Sequence, residues 1–129
     1  MTDVIHIERL AIRACHGVLP QERVVGAMFY VTLHAEVEVL PEAYLHDRLE
    51  GTVSYADIVA CIREEMKVPS MLLEHLIHRV GQRILADFPA VGSLELRIDK
   101  ENPPCGVCAD SIGVSARICR PVVPMSTGE

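Results

Sequence analysis

Phe29-Tyr30-Val31-Thr32-Leu33-His34-Ala35-Glu36-Val37-Glu38-Val39 alternates apolar and polar side chains without a break. Successive side chains of a strand point to opposite faces, so the run predicts a strand with one apolar and one polar face. Upstream, Ile5, Ile7, Leu10 and Ile12 alternate in the same way except for a slip near Glu8-Arg9, which predicts a first strand carrying a bulge. His16 to Gly26 then reads as a loop. Downstream, Leu94, Leu96 and Ile98 mark a third strand and Ile112, Val114, Ala116 and Ile118 a fourth, joined by a Pro/Gly-rich loop from Lys100 to Asp110.

Between the strand pairs the period changes. Ile58, Ile62 and Met66 share one helical face, with Ser54 as a candidate cap, Asp57 as its acidic partner and Val68-Pro69 as the stop. A second helix opens after Ser70, places Leu73, Leu76, Ile77, Val80 and Ile84 on one stripe, and stops before Pro89. The order ββααββ predicts an α+β fold, a four-stranded antiparallel sheet with two helices on one face. Long strands with open edges invite pairing with other subunits, and a ring of such sheets closes into a barrel without edges.

The chain has 129 residues, half of them hydrophobic, enough for one core. We expect a single domain over residues 1–120 and a disordered tail over 121–129, rich in Pro, Ser, Thr and Gly. A formal charge of -6 leaves no basic footprint for nucleic acid. No apolar run approaches the roughly 20 residues of a membrane span, and Met1-Thr2-Asp3 lacks the basic start of a secretory signal, so a cytoplasmic protein is expected. Five irregularly placed cysteines read as reduced thiols. Cys105-Gly106-Val107-Cys108 lacks the second ligand pair of a structural zinc site and reads as loop thiols, while His75 and His78 read as helix-surface residues.

Glu22, Glu74 and Lys100 fall in the first loop, in the opening turn of the second helix and after the third strand. Each alone has an ordinary explanation as a solvated charge or a helix-dipole partner. With their neighbours they resemble the dihydroneopterin aldolase family from Ile5 to about Arg120: His16-Gly17-Val18 followed by Glu22, Thr52-Val53-Ser54-Tyr55, Leu72-Leu73-Glu74-His75, and Lys100-Glu101-Asn102-Pro103-Pro104. The chain departs from the commoner pattern after Lys100, where many relatives place a proline at once.

The resemblance implies the tunnelling fold, in which four subunits close a β-barrel, two rings commonly stack into an octamer, and active sites lie at subunit interfaces. It implies a lyase of folate biosynthesis that cleaves 7,8-dihydroneopterin, a pterin, into 6-hydroxymethyl-7,8-dihydropterin and glycolaldehyde by a retro-aldol step. The substrate's own C6=N5 imine takes the electrons, so neither metal, cofactor nor Schiff base is implied. Lys100 is the expected general acid and base, Tyr55 the phenol that helps reprotonate C1′, and Glu22 the residue that holds the substrate tail or Lys100. Glu74 is expected to accept the pterin N3–H and 2-amino group as a pair, with Leu73, Leu72, Val53 and Val18 completing the binding site; His16 is expected to be structural.

The nearest alternative is a 2′-epimerase of dihydroneopterin or its triphosphate, which shares the retro-aldol step. A triphosphate asks for a basic cluster, and the loops around Glu22 and Lys100 offer only Arg23; epimerisation of the unphosphorylated substrate remains an expected side activity. Zinc-dependent pyruvoyl-tetrahydropterin synthases need a triple-histidine arrangement that the six histidines do not form. A non-catalytic pterin or purine binder would need Glu74 but not Lys100, Tyr55 and Glu22 together.

Overall fold

The computed structural model describes residues 1–101 and 108–121. Strands β1 (Thr2–Ala14), β2 (Ala27–Glu38), β3 (Val91–Glu101) and β4 (Ser111–Cys119) form one antiparallel sheet in the order β1-β2-β3-β4. Helices α3 (Tyr55–Met66) and α4 (Leu73–Asp87) pack on one face of it, and two short helices, α1 (Pro20–Val25) and α2 (Pro41–Tyr44), lie in the connections.

The alternation in β2 has its expected consequence: Phe29, Val31, Leu33, Ala35 and Val37 are fully buried under the helices. Leu94, Leu96 and Ile98 of β3 continue this surface, and Ile58, Ile62 and Met66 of α3 and Leu76, Ile77, Val80 and Ile84 of α4 cover it. Full burial of one such side chain stabilises by about 1.5–3 kcal/mol, so this layer holds the sheet and helices together. Gly81 of α4 faces Ile118 of β4, and a Cβ there would press on the tip of that side chain. The bulge in β1 is present between Ile7 and Leu10, with Arg9 at φ 50° in the left-handed region.

The structure corrects several expectations. The segment from His16 to Gly26 is not all loop, because Pro20 at the first position of α1 presets the helical φ and Glu22 reaches back to the Leu19 amide at 3.1 Å. Ser54 stands at the start of α3 but makes no side-chain cap hydrogen bond. Leu73 is half-buried rather than buried, as it sits at the entry of α4. Lys100 lies inside β3, paired with Phe29 and Ile112, not beyond its end. The tail from Val122 onward, and the loop residues 102–107 with Cys105, lie outside the described residues.

Candidate active site

The period-2 rule places Lys100 on the core face of β3 after Leu94, Leu96 and Ile98, so its charge must find partners there. Only 8% of Lys100 is exposed. Its ammonium donates to the Glu22 carboxylate and to the His16 carbonyl, the latter at 3.1 Å. A buried charge without a partner costs several kcal/mol, and this pair meets the requirement. An ammonium has three donors, so one N–H remains after these two bonds.

Three local devices aim Glu22. The α1 turn points its Oε1 back to the Leu19 amide and leaves Oε2 for Lys100. Gly17 leaves room for it, because a Cβ there would stand 2.5–2.7 Å from Glu22 side-chain atoms. Arg23 ties the turn shut by donating to the carbonyls of Gly17 at 2.7 Å and Val18 at 2.9 Å. Burial pushes the Glu22 carboxyl upward, but the Lys100 hydrogen bond, the Leu19 amide and the nearby charges outweigh it and hold Glu22 below the ordinary carboxylate range.

His16 anchors the same loop from beneath. Its Nδ1 accepts the Ser70 amide at 3.0 Å, Gly17 N–H donates to the Ser70 carbonyl at 3.0 Å, and its ring meets Phe29 edge-on at 5.1 Å. Burial, followed by the charges of Arg79 and Lys100, lowers its pKa to about 4, so the imidazole is neutral. Among the described residues its buried Nε2 has no hydrogen-bond partner.

These elements border an open cleft of about 480 Å³ that brings together Val18, Glu22, Leu72, Leu73, Glu74 and Lys100, with His16 also in its wall. Val18 and Leu72 are exposed on its rim. Glu74 stands exposed in the first turn of α4, where an acidic side chain complements the helix dipole. The chain before α4 is fixed by Arg79, which the sequence reading did not single out: it donates to Ser70 Oγ at 2.9 Å and to the Val68 carbonyl at 2.6 Å, and pairs with Glu65 at 2.8 Å. His75 and His78 are exposed on α4, as expected.

Tyr55 and Val53 do not line this cleft. Tyr55 is 70% exposed at the start of α3, and Val53 packs against the hydrophobic core. The Cys61 thiol is buried and pushed up to about 11 by that burial, which leaves it unreactive.

The family model described as "FolB: Dihydroneopterin aldolase" matches residues 5–117. The chain belongs to the dihydroneopterin aldolase family. It is accordingly an enzyme, a lyase of folate biosynthesis. The dihydroneopterin aldolase of Methylorubrum extorquens is 35% identical over 111 residues, covering 85% of each chain. In fold, the chain resembles the E. coli dihydroneopterin aldolase in complex with neopterin at TM-score 0.78 and 21% identity, over 90% of this chain and 98% of that one. It also resembles the Burkholderia thailendensis dihydroneopterin aldolase bound to guanine, at TM-score 0.73 and 15% identity over 93% of both chains. The ββααββ sheet with its helices is thus the tunnelling fold of this family. Among the described residues no helix is long and apolar enough to cross a membrane.

Proposed function

We propose that the cleft between α1, the start of α4 and the end of β3 is the site of retro-aldol cleavage of 7,8-dihydroneopterin, with Lys100 as general acid and base. The observation that carries this reading is the Lys100–Glu22 pair in the wall of a cleft that also presents Glu74. Glu74 accepts the N3–H and 2-amino group of the pterin as two parallel charged hydrogen bonds. Guanine, bound by one relative, displays the same pair of donors. Amides near Leu72 and Leu73 face the ring's carbonyl oxygen, and Val18 covers the ring.

With the ring anchored, the tail extends toward Lys100. Removal of the 2′-hydroxyl proton, through a bound water held by Lys100, forms the glycolaldehyde carbonyl as the C1′–C2′ bond breaks. The bonding pair enters C6=N5, and the resulting enamine takes a proton at C1′ to give 6-hydroxymethyl-7,8-dihydropterin. The substrate supplies the electron sink, so positioning and proton transfer are the protein's share. Recombination of the fragments in the other orientation gives 2′-epimerisation as a side reaction.

Tyr55 and Val53 enter this scheme from a neighbouring subunit. In the sheet order, β1 and β4 are the free edges; α3 packs beside β1, while Ile112 and Val114 of β4 border the cleft. Pairing of β1 with the next subunit's β4 is a head-to-tail contact of the kind that closes rings, and it brings α3 of one subunit to the cleft of the next. We assign the assembly as a homotetrameric ring, two of which stack into an octamer, and the location as cytoplasmic.

A complementation experiment tests the whole reading. Tyr55→Phe and Lys100→Ala chains are each expected to be impaired in releasing glycolaldehyde from dihydroneopterin. Mixed and reassembled together, they should regain part of the activity, because some interfaces then pair an intact Tyr55 with an intact Lys100. Absence of regained activity in verified mixed oligomers would place Tyr55 outside the shared site.

A further inference from the structure

On the face of the sheet away from the helices, β1 and β2 set His6 directly opposite His34. Their rings lie 4.4 Å apart between centroids. Glu8 follows two residues after His6, just ahead of the register shift between Ile7 and Leu10, and the strand period puts it on the same face as both rings. Its Oε1 stands 2.7 Å from His34 Nε2 and 3.6 Å from His6 Nδ1. The backbone is pinned there, since Arg9 N–H donates to Thr32 Oγ1 at 3.2 Å and the Arg9 guanidinium lies 4.3 Å from the Tyr30 ring centre.

We propose that His6, Glu8 and His34 form a binding site for a divalent first-row transition metal of the zinc class, separate from the catalytic cleft. Two imidazoles and one carboxylate are a common ligand set for such ions, with water completing the tetrahedron. Ligand distances of about 2.0–2.2 Å imply ligand atoms roughly 3.3–3.5 Å apart. One nitrogen–oxygen separation found here is slightly longer and the other shorter, and all donor atoms fall within 4.8 Å of one another. A small rotation of the Glu8 side chain opens the shorter one. Side-chain exposures of 56%, 62% and 34% for His6, Glu8 and His34 in the single chain leave the ion an entry path from the inner face of the sheet, which in the proposed ring lines the barrel interior.

The site opens beside a depression of about 460 Å³ that includes Arg9, Arg97 and Ser115. None of the residues placed in the cleft belongs to it, so occupancy and turnover are separable. The bland alternative is an imidazole–carboxylate ion pair on a solvated surface, and the two predict different metal affinities.

The test uses the full chain with Zn²⁺ in equilibrium dialysis and Co²⁺ as its coloured substitute. We expect one ion per chain at micromolar metal, visible bands of tetrahedral Co²⁺, and no competition from Mg²⁺, which avoids nitrogen ligands. His34→Gln and Glu8→Gln should each weaken binding by more than the roughly 10–100-fold lost when a group merely hydrogen-bonded to a ligand is removed. Glycolaldehyde release by both variants, and by the chelated protein, should be unchanged. Undiminished binding by His34→Gln, or thiolate-to-cobalt charge transfer marking a cysteine site, would overturn the assignment. So would the absence of binding at micromolar metal.

Discussion

The sheet carries an ionic cluster on each face, and burial makes them different chemical objects. On the helix side, Lys100, Glu22 and His16 are enclosed, with side-chain exposures of 10% and 13% for the Lys100–Glu22 pair. On the opposite side, His6, Glu8 and His34 are open to solvent in the single chain. The enclosed cluster has its hydrogen bonds assigned and its geometry determined by α1 and Gly17, which suits a group that must meet a substrate atom in one orientation. In the open cluster, the His34 hydrogen bond, opposed by slight burial, holds the Glu8 carboxyl below its ordinary range, but water competes with every contact. Preorganisation belongs to the first face and exchangeability to the second.

The sharpest way to break this contrast is Lys100→Ala. If the enclosed cluster is the acid–base centre, cleavage slows by roughly 10²–10⁴-fold, while binding of the pterin product, which rests on Glu74, changes much less and shows that the variant is folded. Borohydride added during turnover should trap no adduct. A fully active alanine variant would reduce the buried pair to a structural one, and a substrate–lysine conjugate in a mass spectrum would replace the acid–base scheme with a covalent one.

Acidification probes the same enclosure through His16. Its pKa is near 4 in the folded protein against an ordinary 6.5, so the unfolded chain binds the proton first as pH falls. The stability that the neutral, buried ring contributes is complete above about pH 6.5 and is lost as pH drops toward 4, by about 3 kcal/mol in total. Denaturant midpoints measured across that window should fall in the wild type and fall less in His16→Asn. Parallel curves for the two proteins would mean that other groups dominate acid destabilisation.

The smallest expected effect tests the rim of the cleft. Glu74→Gln replaces one acceptor with a donor that faces a donor, and should weaken product binding by roughly 1.5–3 kcal/mol, the worth of a charged hydrogen bond. Because Glu74 is exposed on its own chain, folding stability should hardly change. An unchanged dissociation constant would move the pterin anchor elsewhere.

The alternation through β2, the slip at Glu8-Arg9 and the helical stripes of α3 and α4 were all legible in the sequence, because each is a local period imposed by one buried face. The family was legible too, since its motifs are short, ordered segments. The α1 helix was hidden because six residues without a buried side chain leave no apolar period to read, although Pro20 and Glu22 marked its start. Lys100 inside β3 could have been found by continuing the Leu94-Leu96-Ile98 period one step further. Of its contacts, that to Glu22 was one of two alternatives that the family resemblance left open and that to the His16 carbonyl was not foreseen, because the contacts span 78 and 84 residues. The same holds for Arg79 with the 65–70 segment and for His6 and Glu8 with His34. Sequence determines local periods directly, whereas the meeting of distant side chains depends on strand register and on the bulge, which no single segment encodes.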